Sequence, residues 1–264
     1  MNAPIGILDS GLGGLSVLNE IRTLMPGEDV IYFGDSAWCP YGPRHPEEIQ
    51  RRVIAITDVL IEQNCKLVVI ACNSATISAV EALRATYPIP FVGMEPAVKP
   101  AATLTRSGTV GVLATEASLA GEKFHRLVHD HADGVRVITR PCPNFVQLVE
   151  QGELSGPRAK AIVEEETIPL LESGADVLVL GCTHYPFLKP LIEEVAGPNI
   201  HILDTGSAVA HRVLQLLHNR SRPDEGNTRY ELLTTGSEST LRSLVPTLCP
   251  GLEPERIAHY DLSQ

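Results

Sequence analysis

Leu67-Val68-Val69-Ile70-Ala71-Cys72-Asn73-Ser74 and Val177-Leu178-Val179-Leu180-Gly181-Cys182-Thr183-His184 repeat one pattern in the two halves of the chain. Each begins with a short uncharged run rich in Val, Leu or Ile, as a parallel strand buried on both faces should. Each run ends in a cysteine followed by amide, hydroxyl or imidazole side chains. In open α/β sheets ligands bind beyond the carboxyl ends of strands, where both thiols are predicted to lie. A buried cysteine alone is usually a small core residue. Two at matching strand ends point instead to a reaction with two mirror-related faces.

Working outward, strand-like and helix-like stretches alternate along nearly the whole chain. Strands are predicted at 5–9, 30–34, 67–71, 91–93, 109–113, 135–139, 177–181 and 200–203, with amphipathic helices at 46–64, 74–87, 116–131 and 157–173. This alternation implies βαβ units and largely parallel sheets. A second echo joins Ile5-Gly6-Ile7-Leu8-Asp9-Ser10 to Val110-Gly111-Val112-Leu113-Ala114-Thr115 at a similar offset. The expected architecture is therefore α/β, with two pseudo-symmetric doubly wound domains and the active site in the cleft between them. One domain spans 1–95 plus 207–264 and the other 96–206. Strands at 230–233 and 257–260 return to complete the first.

The 264 residues hold enough apolar sequence for a large core, and no stretch approaches the roughly 20 apolar residues of a membrane helix. The first strand starts too early to leave room for a signal sequence, so a cytoplasmic location is expected. A formal charge of −11 without a basic cluster argues against nucleic acid or an anionic membrane as partner. Six cysteines without a C-x-x-C spacing argue against a zinc ribbon or a thioredoxin-like site. The other histidines show no metal-ligand spacing, so neither a metal nor a cofactor is expected. Cys39, Cys65, Cys142 and Cys249 read as structural or incidental.

Asp9-Ser10-Gly11-Leu12-Gly13-Gly14-Leu15-Ser16 follows the first strand and opens a helix. That invites a dinucleotide-binding reading, with Asp35 after the second strand as the ribose acid. Ser16 at the third glycine position and a carboxylate at Asp9 weaken it. Glycines before a helix suit any small anion, including an α-carboxylate, and leave Asp9 as an ammonium partner or proton relay. His184, two residues after Cys182, is placed to hold a thiolate or take up its proton. Pro40-Tyr41-Gly42 is a turn that can bring Tyr41 and the Gly42 amide to a ligand. Glu150 closes an amphipathic segment that would ordinarily face solvent.

Taken together, Asp9-Ser10-Gly11-Leu12-Gly13-Gly14, Pro40-Tyr41-Gly42, Ala71-Cys72-Asn73-Ser74-Ala75 and Gly181-Cys182-Thr183-His184-Tyr185-Pro186 closely resemble the signature segments of the glutamate racemase family. Their order and spacing match, over essentially the whole chain. Ser74 stands where the family more often has threonine, and it keeps the hydroxyl. The resemblance implies a cofactor-independent isomerase that interconverts L- and D-glutamate, the latter a precursor of peptidoglycan in cell-wall biogenesis. It implies Cys72 acting on D-glutamate with help from Asp9, and Cys182 acting on L-glutamate with help from His184 and Glu150. Substrate would be held by Asp9, Ser10, Pro40, Tyr41, Gly42, Asn73, Ser74, Thr183 and His184. An aspartate or other amino-acid racemase of the same superfamily is the nearest rival. A nucleotide-dependent oxidoreductase and a noncatalytic dicarboxylate-binding protein are more distant ones. A homodimer fits the commonest oligomeric symmetry.

Overall fold

The computed structural model describes residues 3–217 and 228–262. In chain order its first elements are β1 (Ile5–Asp9), α1 (Leu15–Leu24), β2 (Val30–Gly34), α2 (Pro46–Glu62), β3 (Leu67–Ile70), α3 (Asn73–Thr86) and β4 (Phe91–Val92). There follow α4 (Val98–Leu104), β5 (Thr109–Ala114), α5 (Glu116–Ala120), α6 (Glu122–His131), β6 (Arg136–Pro141), α7 (Pro143–Glu150), α8 (Pro157–Glu172) and β7 (Val177–Gly181). The last are a 3-10 turn (Tyr185–Leu188), α9 (Lys189–Ala196), β8 (His201–Leu203), α10 (Gly206–Leu216), β9 (Tyr230–Thr234), α11 (Glu238–Leu248) and β10 (Arg256–His259).

Two compact units result, Met1–Met94 with Gly206–Gln264, and Glu95–Thr205. The first holds a six-stranded sheet in the order β10-β9-β2-β1-β3-β4, the second a four-stranded sheet in the order β6-β5-β7-β8. Every strand pairing among the described residues is parallel. The order β2-β1-β3-β4 maps directly onto β6-β5-β7-β8, so the second sheet repeats the centre of the first.

The repetition extends to single residues. Ile7 lies opposite Val69 in the first sheet and Val112 opposite Val179 in the second, which makes Asp9 and Ala114, and Cys72 and Cys182, equivalent positions. The turns entering β3 and β7 also match. Cys65 N donates to Leu60 O at 3.1 Å and Ala175 N to Leu170 O at 3.1 Å, while Lys66 N and Asp176 N reach back to Pro4 O and Thr109 O. Both turns need left-handed backbone, taken by Asn64 at φ 59° and Gly174 at φ 91°. Gly6 and Gly111 occupy one further equivalent pair. A Cβ on Gly6 would come within 3.2 Å of Leu60 on α2, and one on Gly111 within 3.0 Å of Leu170 on α8. A missing side chain in the centre of each sheet lets the covering helix close down.

Helices cover both faces of each sheet because its central strands, β1 and β3 in one and β5 and β7 in the other, are buried on both. Leu8, Ile31, Phe33, Val68 and Ile70 pack with Val53, Ile56 and Leu60 of α2 and Ala79 and Leu83 of α3. Alternation sends Ile5, Ile7, Tyr32 and Val69 to the other face, and each is fully buried. In the second unit Val110, Val112, Val177 and Val179 pack with Val98 and Ala101 of α4 and Phe124 of α6. One expectation fails here. The amphipathic stretch 116–131 is two helices, because Gly121 is extended at φ −69° and ψ 138° and interrupts the ladder.

Gly174→Ala should lower stability by about 1–2 kcal/mol, the cost of left-handed backbone for a residue with a Cβ. Nothing lies within 4 Å of that Cβ, so sterics add nothing. Gly174→Asn should recover most of the loss. The check is the urea midpoint of each variant; an alanine variant as stable as the wild type would refute the assignment.

Candidate active site

The carboxyl ends of β1 and β3 gather the first set of side chains. Asp9 is fully buried, and its Oδ2 accepts from the Gly11 amide at 3.0 Å. The glycines of this loop serve close approach. A Cβ on Gly14 would sit 2.7 Å from Asp9 Cβ, and one on Gly34 would sit 2.7 Å from Gly11 O. The Gly11 amide, read from sequence as an anion donor, is thus engaged by Asp9. Cys72 caps α3, its Sγ accepting from the Ala75 amide at 3.4 Å. A thiol at a helix N-terminus has its thiolate favoured by the aligned amides.

Asn73 is only 4% exposed, yet neither its Nδ2 nor its Oδ1 has a hydrogen-bond partner. A buried amide left unsatisfied costs about 1–3 kcal/mol, which marks a place for an outside polar group. Ser10 and Ser74 are also buried at these strand ends. Tyr41 is buried and donates its phenol to Asp35 Oδ2 at 2.6 Å. Burial first, then the Asp35 charge, raises this phenol well above its ordinary pKa, so it stays a donor. Tyr41 therefore does not offer its hydroxyl to a ligand. The Tyr41 and Gly42 amides, which follow the cis Cys39–Pro40 bond, find no acceptor among the described residues.

Asp35 overturns the ribose-acid reading. It is fully buried and held by Arg52, Tyr41 and Thr235, which leaves it closed to a ribose hydroxyl. Arg52 and Thr235 were not singled out in the sequence. Their partner is 17 and 200 residues away, with no local pattern to reveal either contact.

In the second unit Cys182, Thr183 and His184 follow β7 and are all buried. Cys182 Sγ lies 3.7 Å from His184 Nδ1, and His184 Nε2 lies 2.7 Å from Glu150 Oε1. In the tautomer with the proton on Nε2, the carboxylate accepts a hydrogen bond from it and the Nδ1 lone pair is turned toward the thiol. Glu150 thus closes a three-member chain rather than facing solvent alone. Behind it, Tyr185 donates to Cys142 O at 2.9 Å and meets the Phe145 ring edge-on at 5.1 Å. That wall fixes the backbone leaving Cys182. Burial, joined by the Cys182 and Cys142 charges, raises the Tyr185 phenol well above its usual value.

The family follows from comparison with known proteins. The Asp/Glu/Hydantoin racemase family model matches residues 5–213. Glutamate racemase of Herpetosiphon aurantiacus is 49% identical over 235 residues, 88% of this chain and 92% of that one. The chain belongs to the Asp/Glu/Hydantoin racemases, among the glutamate racemases. Glutamate racemase of Pseudomonas entomophila is 45% identical over 99% of this chain and 98% of its own. The crystal structure of Escherichia coli glutamate racemase in complex with L-glutamate and activator UDP-MurNAc-ala superposes with a TM-score of 0.87 at 32% identity, covering 98% of each chain. Picrophilus torridus aspartate racemase shares the fold, with a TM-score of 0.52 at 19% identity over 84% of this chain and 96% of that one. As a member of this family the chain is an isomerase. No helix among the described residues is long and apolar enough to cross a membrane.

Cys65, Cys142 and Cys249 are buried as well. Burial pushes the Cys65 and Cys249 thiols up to about 12 and raises Cys142 further still. At pH 8 a thiol with a pKa of about 12 is thiolate in roughly one molecule in ten thousand, and thiolate is the nucleophile. Iodoacetamide at pH 8 should therefore leave Cys65, Cys142 and Cys249 unmodified in the native protein, read by peptide mass. Labelling of any of them as fast as free cysteine would contradict their burial.

Proposed function

We propose that this chain interconverts L- and D-glutamate by two-base proton transfer, with Cys72 and Cys182 as the acid–base pair. The observation that carries the reading is the register. The two thiols stand at equivalent positions after β3 and β7, each joined to its own polar partner. Inversion at Cα requires a proton to leave one face and another to arrive at the opposite face. One base would have to cross the substrate, whereas two need not move.

In the L-to-D direction the Cys182 thiolate removes the Cα proton and becomes a thiol, and the electron pair passes into the α-carboxylate. The Cys72 thiol then donates its proton to the other face and is left as thiolate. In the reverse direction the roles exchange. His184 holds the Cys182 proton balance through Nδ1, and Glu150 holds His184. Asp9 serves the Cys72 side. A thiol is a far weaker base than the Cα carbanion, so the transition state needs preorganised donors and excluded water. The unpartnered Asn73 amide suits both ends of an amino acid, Nδ2 donating to a carboxylate and Oδ1 accepting from the ammonium. Ser10, Ser74, Thr183 and the Tyr41 and Gly42 amides complete the binding set. An ammonium kept protonated acidifies Cα without an external electron sink, so the scheme uses no pyridoxal phosphate, flavin or metal.

Glutamate is favoured over aspartate by the 45–49% identity to relatives named glutamate racemase. The product would enter peptidoglycan synthesis. A reducing cytoplasm suits a chemistry that needs free thiols, and none of the six cysteines forms a disulfide among the described residues. A twofold homodimer is the oligomer proposed.

Cys72→Ala and Cys182→Ala should each keep the fold and lower racemisation by at least the 10²–10⁴-fold that a positioned acid or base contributes, roughly. Since the enantiomers have equal free energy, each variant must lose kcat/KM equally in both directions. Circular dichroism of the glutamate pool reads both. Substantial turnover by either variant would refute the two-base scheme, as would loss of activity on chelation that one added metal restores.

A further inference from the structure

Asp35 has no part in the proton transfers, yet four donors converge on it. Oδ2 accepts from the Tyr41 phenol at 2.6 Å and from Arg52 Nε at 2.5 Å, while Oδ1 accepts from the other Arg52 nitrogen at 2.7 Å and from the Thr235 hydroxyl at 2.7 Å. Both oxygens are filled. Thr235 Oγ1 accepts in turn from the Ala37 amide at 3.1 Å, and Asp35 O accepts from the Trp38 amide at 2.9 Å. The segment that follows β2 is therefore tied to the Asp35 carboxylate directly at residue 41 and through Thr235 at residue 37, and to the Asp35 backbone carbonyl at residue 38. The Trp38 ring covers the Arg52 guanidinium 4.4 Å from its centroid, with Arg44 4.9 Å from the same ring.

We propose that Asp35, with Arg52 as its counter-ion, is a positioning residue for glutamate binding: it fixes the Pro40-Tyr41-Gly42 turn so that the Tyr41 and Gly42 amides face a substrate carboxylate. The inference rests on the glutamate-racemising reading above. A buried ion pair is a poor device for stability alone, since well-packed apolar residues serve as well or better. What a bidentate fork adds is direction. Here it sets the angle of a turn whose amides have no acceptor among the described residues.

Three variants test it. Arg52→Lys keeps the charge and loses the fork. Asp35→Asn keeps the shape but cannot accept from all four donors. Thr235→Val spares the ion pair and releases the Ala37 tie together with one donor to Asp35 Oδ1. Trp38 is the chain's single tryptophan, so its emission reports the segment directly. Arg52→Lys and Asp35→Asn should raise KM for glutamate about tenfold with kcat within about threefold, the pattern of lost ground-state binding. Trp38 emission should shift to the red in both. Thr235→Val should raise KM about threefold, and decides the matter if the other two fail to fold. A folded variant with wild-type KM and wild-type emission overturns the proposal, and so does a loss confined to kcat. Wild-type protein that does not racemise glutamate overturns the underlying reading instead, and Trp38 emission in the same variants still shows whether Asp35 holds the turn.

Discussion

Parallel pairing between β1 and β3, and between β5 and β7, decides where the two thiols stand. In a parallel sheet the chain leaves every strand at the same edge, and a one-residue slip turns each side chain to the other face. The Ile7–Val69 and Val112–Val179 registers are pinned by residues apolar on both faces, and by glycines at 6 and 111 that let the covering helices close. Cys72 and Cys182 each follow three residues beyond the pinned valine. Their positions are thus set by the most deeply buried part of each unit, not by the loops that carry them. A catalytic group needs that kind of support, because small misplacements are costly.

The two halves repeat in backbone but not in chemistry. At the position of Asp9 the second unit has Ala114, so a carboxylate from the strand itself is present on one side alone. The second side has His184 after Cys182 and a carboxylate from Glu150 at the end of α7. In the proposed reaction each thiol has an ionisable helper, Asp9 on one side and His184 on the other, reached by a different route. An L-amino acid presents different groups to the two sides of Cα, so identical surroundings for both thiols would serve neither enantiomer well.

Strands β3 and β7 were legible because four Val, Leu or Ile residues in a row, bounded by glycine or polar residues, leave little choice but a buried parallel strand. The break at Gly121 was not, since the apolar spacing of 116–131 runs straight through it. Cys72, Cys182, Asp9 and His184 stood out because strand ends are where ligands bind. Glu150 had no such signal: its partner His184 lies 34 residues away, and only the fold joins them. Asp35 was visible only as the acid of a nucleotide reading that Ser16 and Asp9 already weakened. A glycine loop followed by an acid resembles a nucleotide site, whereas the contacts that occupy this acid come from residues distant in the chain.

In the proposed reaction two separate groups handle the proton, one for each face of Cα. Racemisation of L-glutamate in deuterium oxide, stopped within the first few per cent of conversion, tests it most directly. Deuterium is expected at Cα of nearly all the D-glutamate formed and almost none in the L-glutamate recovered, with the same result when the enantiomers are exchanged. D-glutamate that keeps its original protium, or recovered L-glutamate as deuterated as the product, would mean that a single base serves both faces.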